Sequence, residues 1–77
     1  MEIKEFIQNF ADQFDDTDAS VFTPETVFHD LDDYSSIVAL SIIAMVDEEY
    51  GVTLGGNDIK SAVTVQDLFN TVSAKLA

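Results

Sequence analysis

Few residues of this 77-residue chain could do chemistry, because it contains no cysteine and a single histidine, His29. The lack of cysteine excludes disulfides, thiolate metal ligands and cysteine nucleophiles. A serine–histidine–acid triad would have to combine His29 with Ser35 or Ser36, and no Gly-x-Ser-x-Gly turn surrounds these serines. We therefore expect no catalytic residues, and we expect His29 to cap a backbone segment or to face solvent.

Acidic side chains are the other chemical candidates. The segment Asp16–Ser20 shares the aspartate spacing of an EF-hand loop, but Val21 and Val27 stand where that loop needs glycine and glutamate. We therefore expect no metal site. The acidic runs at 32–33 and 47–49 could be catalytic carboxylates, but so small a chain offers little concave surface to raise a carboxyl pKa. We interpret both runs as solvated charge.

Charge decides which partners are plausible, since 15 acids and three lysines give a net charge of −12. Nucleic acid and acidic membranes are disfavoured, and basic protein surfaces are favoured. The longest uncharged run, Tyr34–Val46, is shorter than the ~20 residues that span a bilayer. The first residues lack a basic segment followed by an apolar core, so we do not expect them to be a signal peptide. Hydrophobic residues make up 47% of the chain. We expect a single domain over residues 1–77. We also expect this domain to be cytoplasmic and, by default, monomeric.

Three long helices follow from the hydrophobic pattern. Residues 3–14 carry apolar side chains at helical spacing. A second helix begins near Ser35 or Ser36, since serine is a favoured N-cap, and ends at Tyr50 before a glycine. This helix is apolar almost all round, and Ile37, Leu40, Ile43, Ala44 and Tyr50 mark one of its faces. The last helix follows Thr64, whose spacing to Asp67 approximates a capping box.

Two shorter elements join the long helices. Thr23 is expected to cap a single helical turn that starts at Pro24. A Gly-Gly break precedes a short turn near residues 57–62. We therefore predict an all-α fold, a four-helix bundle with three main helices and a short helix before the last.

The spacing of these features resembles the acyl carrier protein family. That family has an Asp-Ser-Leu motif at the start of its second helix, fourteen residues before the aromatic residue of a Glu-Glu-Phe/Tyr helix end. Counting back from Tyr50 gives Ser36, with Ser35 in place of the aspartate and Ile37 in place of the leucine. Thr64–Leu68 also resembles the family's Thr-Val-x-Asp-Leu segment. The resemblance covers essentially the whole chain.

The resemblance implies a non-catalytic carrier with covalent 4′-phosphopantetheine on Ser36, transferred from coenzyme A by a phosphopantetheinyl transferase. The arm would hold acyl groups as thioesters for acyl-transferring or condensing enzymes of fatty acid, lipid or polyketide-like biosynthesis. Such enzymes would dock through basic or partly apolar patches. The candidate partner-binding residues are Asp32, Asp33, Ser35, Ile37, Val38, Ser41, Met45, Asp47 and Glu48, with Glu49 beside them.

The second helix lacks the acids that usually follow the family's serine. We therefore expect a more apolar partner contact centred on Val38, Ser41 and Met45, and a specialised pathway. Two alternatives stay open at this point. A peptidyl or aminoacyl carrier usually shows a Gly-Gly-x-Ser motif, which is missing here. An unmodified acidic interaction module with the same fold would account for the replacement of the aspartate by Ser35.

Overall fold

Four α-helices and two short 3₁₀ helices make up the computed structural model, which describes residues 2–76. Within that range, the only β pairing is a single bridge between Val27 and Thr64. The predicted all-α fold, with three main helices and a short helix before the last, is confirmed. The α-helices are α1 (Ile3–Ala11), α2 (Ser36–Tyr50), α3 (Gly56–Ser61) and α4 (Val65–Leu76), and the 3₁₀ helices are Ala19–Val21 and Phe28–Asp30.

Aromatic side chains form the centre of the core. Phe10 of α1 is fully buried, and its ring centroid lies 5.2 Å from that of Phe28 and 5.9 Å from that of Phe22, both edge-on. Such geometry places the positive ring edge against the negative ring face. Helix α1 ends at Ala11, earlier than predicted, but Phe14 stays buried because its N–H donates to the Ala11 carbonyl and turns the chain inward.

Helix α2 begins and ends where the sequence predicts. Ser35 is its N-cap, and the Ser35 hydroxyl accepts a hydrogen bond from the Val38 N–H at 3.3 Å. Gly51 closes the helix with a φ of 67°, a left-handed conformation that glycine adopts without strain. In that conformation, the Gly51 N–H donates to the Asp47 carbonyl at 2.9 Å.

The face of α2 that enters the core is the one with Val38 and not the one with Ile37. The buried side chains of α2 are Val38, Ile42, Met45 and Val46. Ile37 and Leu40, which the sequence places together on another face, are 76% and 65% exposed. Both sets follow helical spacing, so periodicity alone could not choose between them.

The segment before α2 folds differently from the prediction at Pro24. Thr23 does not cap a helix, because residues 23–26 form a turn in which the Thr26 N–H donates to the Thr23 carbonyl. The Thr26 hydroxyl accepts the Thr23 N–H at 2.8 Å, which closes the turn. Helical structure resumes only with the 3₁₀ turn Phe28–Asp30.

The predicted capping box of α4 is present. The Thr64 hydroxyl accepts the Asp67 N–H at 3.1 Å, and the Asp67 carboxylate accepts the Thr64 N–H at 3.1 Å. The pKa of Asp67 is lowered by these bonds from the backbone N–H groups of Thr64 and Val63. The Val65 N–H also donates to the Thr26 carbonyl, so the segment that leads to α2 is tied to the start of α4.

Candidate functional site

Ser35 and Ser36 have different roles at the start of α2. The Ser35 hydroxyl caps the helix, as described above, whereas Ser36 is exposed and is the first residue of the helix. Within residues 2–76, no protein group forms a hydrogen bond with the Ser36 hydroxyl. An anion joined to this hydroxyl would lie at the N-terminus of a 15-residue helix, where unpaired N–H groups and the helix dipole stabilise negative charge.

The loop before Ser36 is held by hydrogen bonds from a distant segment. The Asp33 carboxylate accepts the Asp16 N–H at 2.8 Å and is 3.4 Å from the Thr17 hydroxyl. Asp33 is half-buried, so the carboxylate we predicted as a partner contact also has an internal structural role. Its neighbour Asp32 is exposed.

Aromatic packing fixes the other side of this loop. The Tyr34 ring lies edge-on to His29, with centroids 4.9 Å apart, and to Phe28, with centroids 5.6 Å apart. Burial raises the pKa of the Tyr34 hydroxyl above its ordinary value. The His29 Nε2 atom lies 3.0 Å from the Ile59 carbonyl and 2.9 Å from the Ala62 carbonyl, at the end of α3. His29 thus caps a backbone segment, which is one of the two roles that we predicted for it from the sequence.

A groove between α2 and α3 begins at Ser36 and has a volume of about 490 Å³. Its walls are mainly apolar, and one lysine stands on the α3 side. The residues that line it are His29, Tyr34, Ser36, Ala39, Leu40, Ile43, Gly56, Ile59 and Lys60. An exposed serine at a helix start, bordered by an apolar groove, suits a long covalently attached arm.

The predicted partner-binding residues fall into three groups by exposure. Asp32, Ser35, Ile37, Asp47, Glu48 and Glu49 are exposed, and Asp33 and Ser41 are half-buried. Val38 and Met45 are only 9% and 6% exposed. The prediction that these two side chains form the centre of an exposed contact is wrong, because both pack into the core beside Ile42 and Val46.

Three side chains around Ser36 were missed by the sequence analysis. Leu40 was placed on a face of α2 without a role at the site, Tyr34 was given no role, and Lys60 was not considered. Lys60 is 24 positions from Ser36 in sequence, and only the tertiary fold brings both to the lining of one groove. No local pattern could have indicated that proximity.

Comparison with protein families identifies the class of protein. A family model described as a phosphopantetheine attachment site matches residues 4–72. The chain belongs to this family, and it is therefore a carrier domain that bears covalent 4′-phosphopantetheine rather than a catalytic domain. Carrier domains are modified by phosphopantetheinyl transferases and serve partner enzymes. No curated protein and no solved structure matched the chain.

Residues 2–76 contain neither a cluster of metal ligands nor a membrane-spanning helix. No group of three or more His, Cys, Asp and Glu side chains in this range could hold a metal ion. No helix in the same range combines the length and the apolar character needed to cross a membrane.

Proposed function

We propose that this chain is an acyl carrier protein whose phosphopantetheine arm is attached to Ser36. The observation that carries the proposal is the apolar groove that starts at this serine. When bound, the arm would supply a thiol that holds acyl groups as thioesters. Tethering would raise the effective concentration of the acyl group at a docked partner enzyme.

The chemistry of the groove favours an acyl cargo over an aminoacyl cargo. Ala39, Leu40, Ile43 and Ile59 supply its apolar surface. An alkyl chain gains free energy when such surface removes it from water, at ~0.8 kcal/mol for each methylene group. The ammonium group of an aminoacyl cargo would lose hydration there without a compensating carboxylate in the lining. The absence of a Gly-Gly-x-Ser sequence points the same way.

The cargo can be tested by loading the protein with octanoyl and alanyl groups and measuring thermal unfolding. If three methylene groups enter the groove, octanoyl loading stabilises the fold by about 2 kcal/mol. For a domain of this size, that raises the melting temperature by roughly 10 °C above the form with the free arm. Alanyl loading should leave the melting temperature unchanged.

The Ile43→Ser variant is the control for groove binding, since Ile43 is half-buried and lines the groove. Octanoyl loading should stabilise this variant less than it stabilises the original protein. Equal melting temperatures for the octanoyl, alanyl and unloaded forms would rule out a groove that shelters the cargo. A larger stabilisation by alanyl would favour an aminoacyl carrier instead.

Ile37 and Leu40 form an exposed apolar patch directly after Ser36, and we include this patch in the proposal as a docking surface. Acids flank it, with Asp32 before the helix and Asp47 at the helix end, both exposed. This arrangement fits a partner enzyme with an apolar centre and a basic rim, because opposite charges steer association while apolar contacts hold the complex. The absence of charge between Tyr34 and Val46 supports a specialised biosynthetic pathway.

The Leu40→Glu variant should lower kcat/KM of a phosphopantetheinyl transferase about tenfold, the effect of losing ~1.4 kcal/mol at a central contact. Leu40 is 65% exposed, so the fold should persist. Val63→Glu is the matched control, because Val63 is 54% exposed but does not line the groove or belong to the patch. Equal transferase kinetics in both variants would remove this surface from the proposal.

A further inference from the structure

Lys60 is the cationic side chain of the groove that begins at Ser36. The chain has three lysines and no arginine. Lys75 is 3.8 Å from the Asp58 carboxylate, and Lys4 lies on α1. Among residues 2–76, Lys60 has no acidic side chain within 4.0 Å, although the net charge is −12. Lys60 is exposed, so its ammonium group is free to pair with an anion that lies beside this groove.

We propose that Lys60 binds the phosphodiester group that links the arm to Ser36 and so directs the arm along the groove. This inference rests on the proposed attachment at Ser36. The phosphodiester would be joined directly to the Ser36 oxygen, so its negative charge would lie beside Ser36, which lines the groove. Lys60 borders the same groove from α3. Its flexible four-carbon stem allows the ammonium group to reach toward that charge.

The local charges explain why such a partner is needed. Asp30 and Asp32 are exposed in the segment before Ser36, and they repel a further anion. The N-terminus of α2 offsets part of that repulsion. Asp58 does not compete for Lys60, because its carboxylate accepts the Gly55 N–H at 2.9 Å and faces Lys75. Lys60 therefore supplies the remaining positive charge on the α3 side.

The test is the rate at which a water-soluble acetylating reagent labels each lysine, followed by peptide mass spectrometry. Three forms are compared: the unmodified protein, the protein with the arm attached, and the protein made with phosphoserine at position 36. An ion pair of ordinary surface strength should slow labelling of Lys60 about threefold in both phosphorylated forms. The protection should disappear in 1 M NaCl, where exposed charges are screened. Lys4 should react equally in all three forms.

Each other outcome has a distinct meaning. Equal labelling of Lys60 in the unmodified and arm-bearing forms overturns the inference. Protection by the arm but not by phosphoserine also overturns it, because it indicates coverage by the arm rather than pairing with phosphate. Failure of the attachment itself would appear separately as the absence of a mass gain. The phosphoserine form needs no transferase, so it tests Lys60 even if the proposed function fails.

A pair of charge-matched variants gives a second readout. Lys60→Gln should shift the ³¹P resonance of the arm-bearing protein, and Lys60→Arg should restore most of the original shift. Lys4→Gln removes the same charge from α1 and should leave the resonance unchanged. Equal ³¹P spectra for Lys60→Gln and Lys4→Gln would contradict a contact between Lys60 and the phosphate.

Discussion

The Ser36→Ala variant is expected to gain no phosphopantetheine at all when incubated with coenzyme A and a broad-specificity transferase. The Ser35→Ala variant should still gain one. The difference follows from the two hydroxyl groups, since Ser35 accepts the Val38 N–H while Ser36 is exposed and free of internal bonds among residues 2–76. Intact mass spectrometry distinguishes the variants directly, because the arm adds a fixed mass to each modified molecule.

Both variants need a check of folding, because loss of the Ser35 cap costs about 1 kcal/mol of helix stability. Circular dichroism should show the same helix content for both variants and the original protein. A mass gain lost in Ser35→Ala but kept in Ser36→Ala would move the attachment site to Ser35. If the unsubstituted protein gains no mass with any transferase, including one from the source organism, the unmodified interaction module becomes the better proposal.

The sequence predicts the ends of α2 well because both ends depend on local chemistry. A serine hydroxyl satisfies an unpaired N–H at the start, and a glycine takes the left-handed conformation at the end. The capping box of Thr64 and Asp67 is local in the same sense. Each of these signals involves residues no more than four positions apart, so the rest of the fold has little influence on them.

The sequence does not indicate which face of α2 is buried. For this reason the predicted exposed contact at Val38 and Met45 is wrong. Val38 and Leu40 are both aliphatic, and each fits a helical stripe, so only packing against the phenylalanine core decides which one is buried. The structure buries Val38 and exposes Leu40. A helix that is apolar on every face gives no polar residue to mark its outer side. The exposed apolar side chains near the start of α2 are therefore Ile37 and Leu40, and our proposed docking surface is built on these two residues rather than on Val38 and Met45.

The surroundings of Ser36 depend on contacts between distant parts of the chain. Asp33 binds the backbone at Asp16, and His29 binds the end of α3, 30 and 33 positions away. Both side chains therefore have structural roles inside the fold. In the sequence, Asp33 is simply part of an acidic run, and His29 is a single histidine. The motif spacing predicts Ser36 as the attachment site without such contacts, because that pattern lies within one helix and its N-cap.

The Phe10→Ala variant is expected to lose a large part of the stability of the domain. The Phe10 ring packs against three other rings, those of Phe14, Phe22 and Phe28, whose centroids lie between 5.2 and 5.9 Å away. None of the Phe10 surface reaches solvent. Removal of such a side chain typically costs 3–5 kcal/mol, through lost burial and the cavity that remains. A 77-residue domain has a total stability of roughly 4–12 kcal/mol.

Urea denaturation followed by circular dichroism measures this loss, and Ile37→Ala is the matched control. Ile37 is 76% exposed, so its truncation should change the free energy of unfolding by less than about 0.5 kcal/mol. Phe10→Leu keeps most of the apolar volume, so its loss in free energy of unfolding should lie between those of Phe10→Ala and Ile37→Ala.

The same substitution should affect the groove beside Ser36. Because the phenylalanine cluster holds Phe28 and, through His29, the end of α3, Phe10→Ala should also disorder this groove. A loss below about 1 kcal/mol for Phe10→Ala would contradict a core centred on this ring.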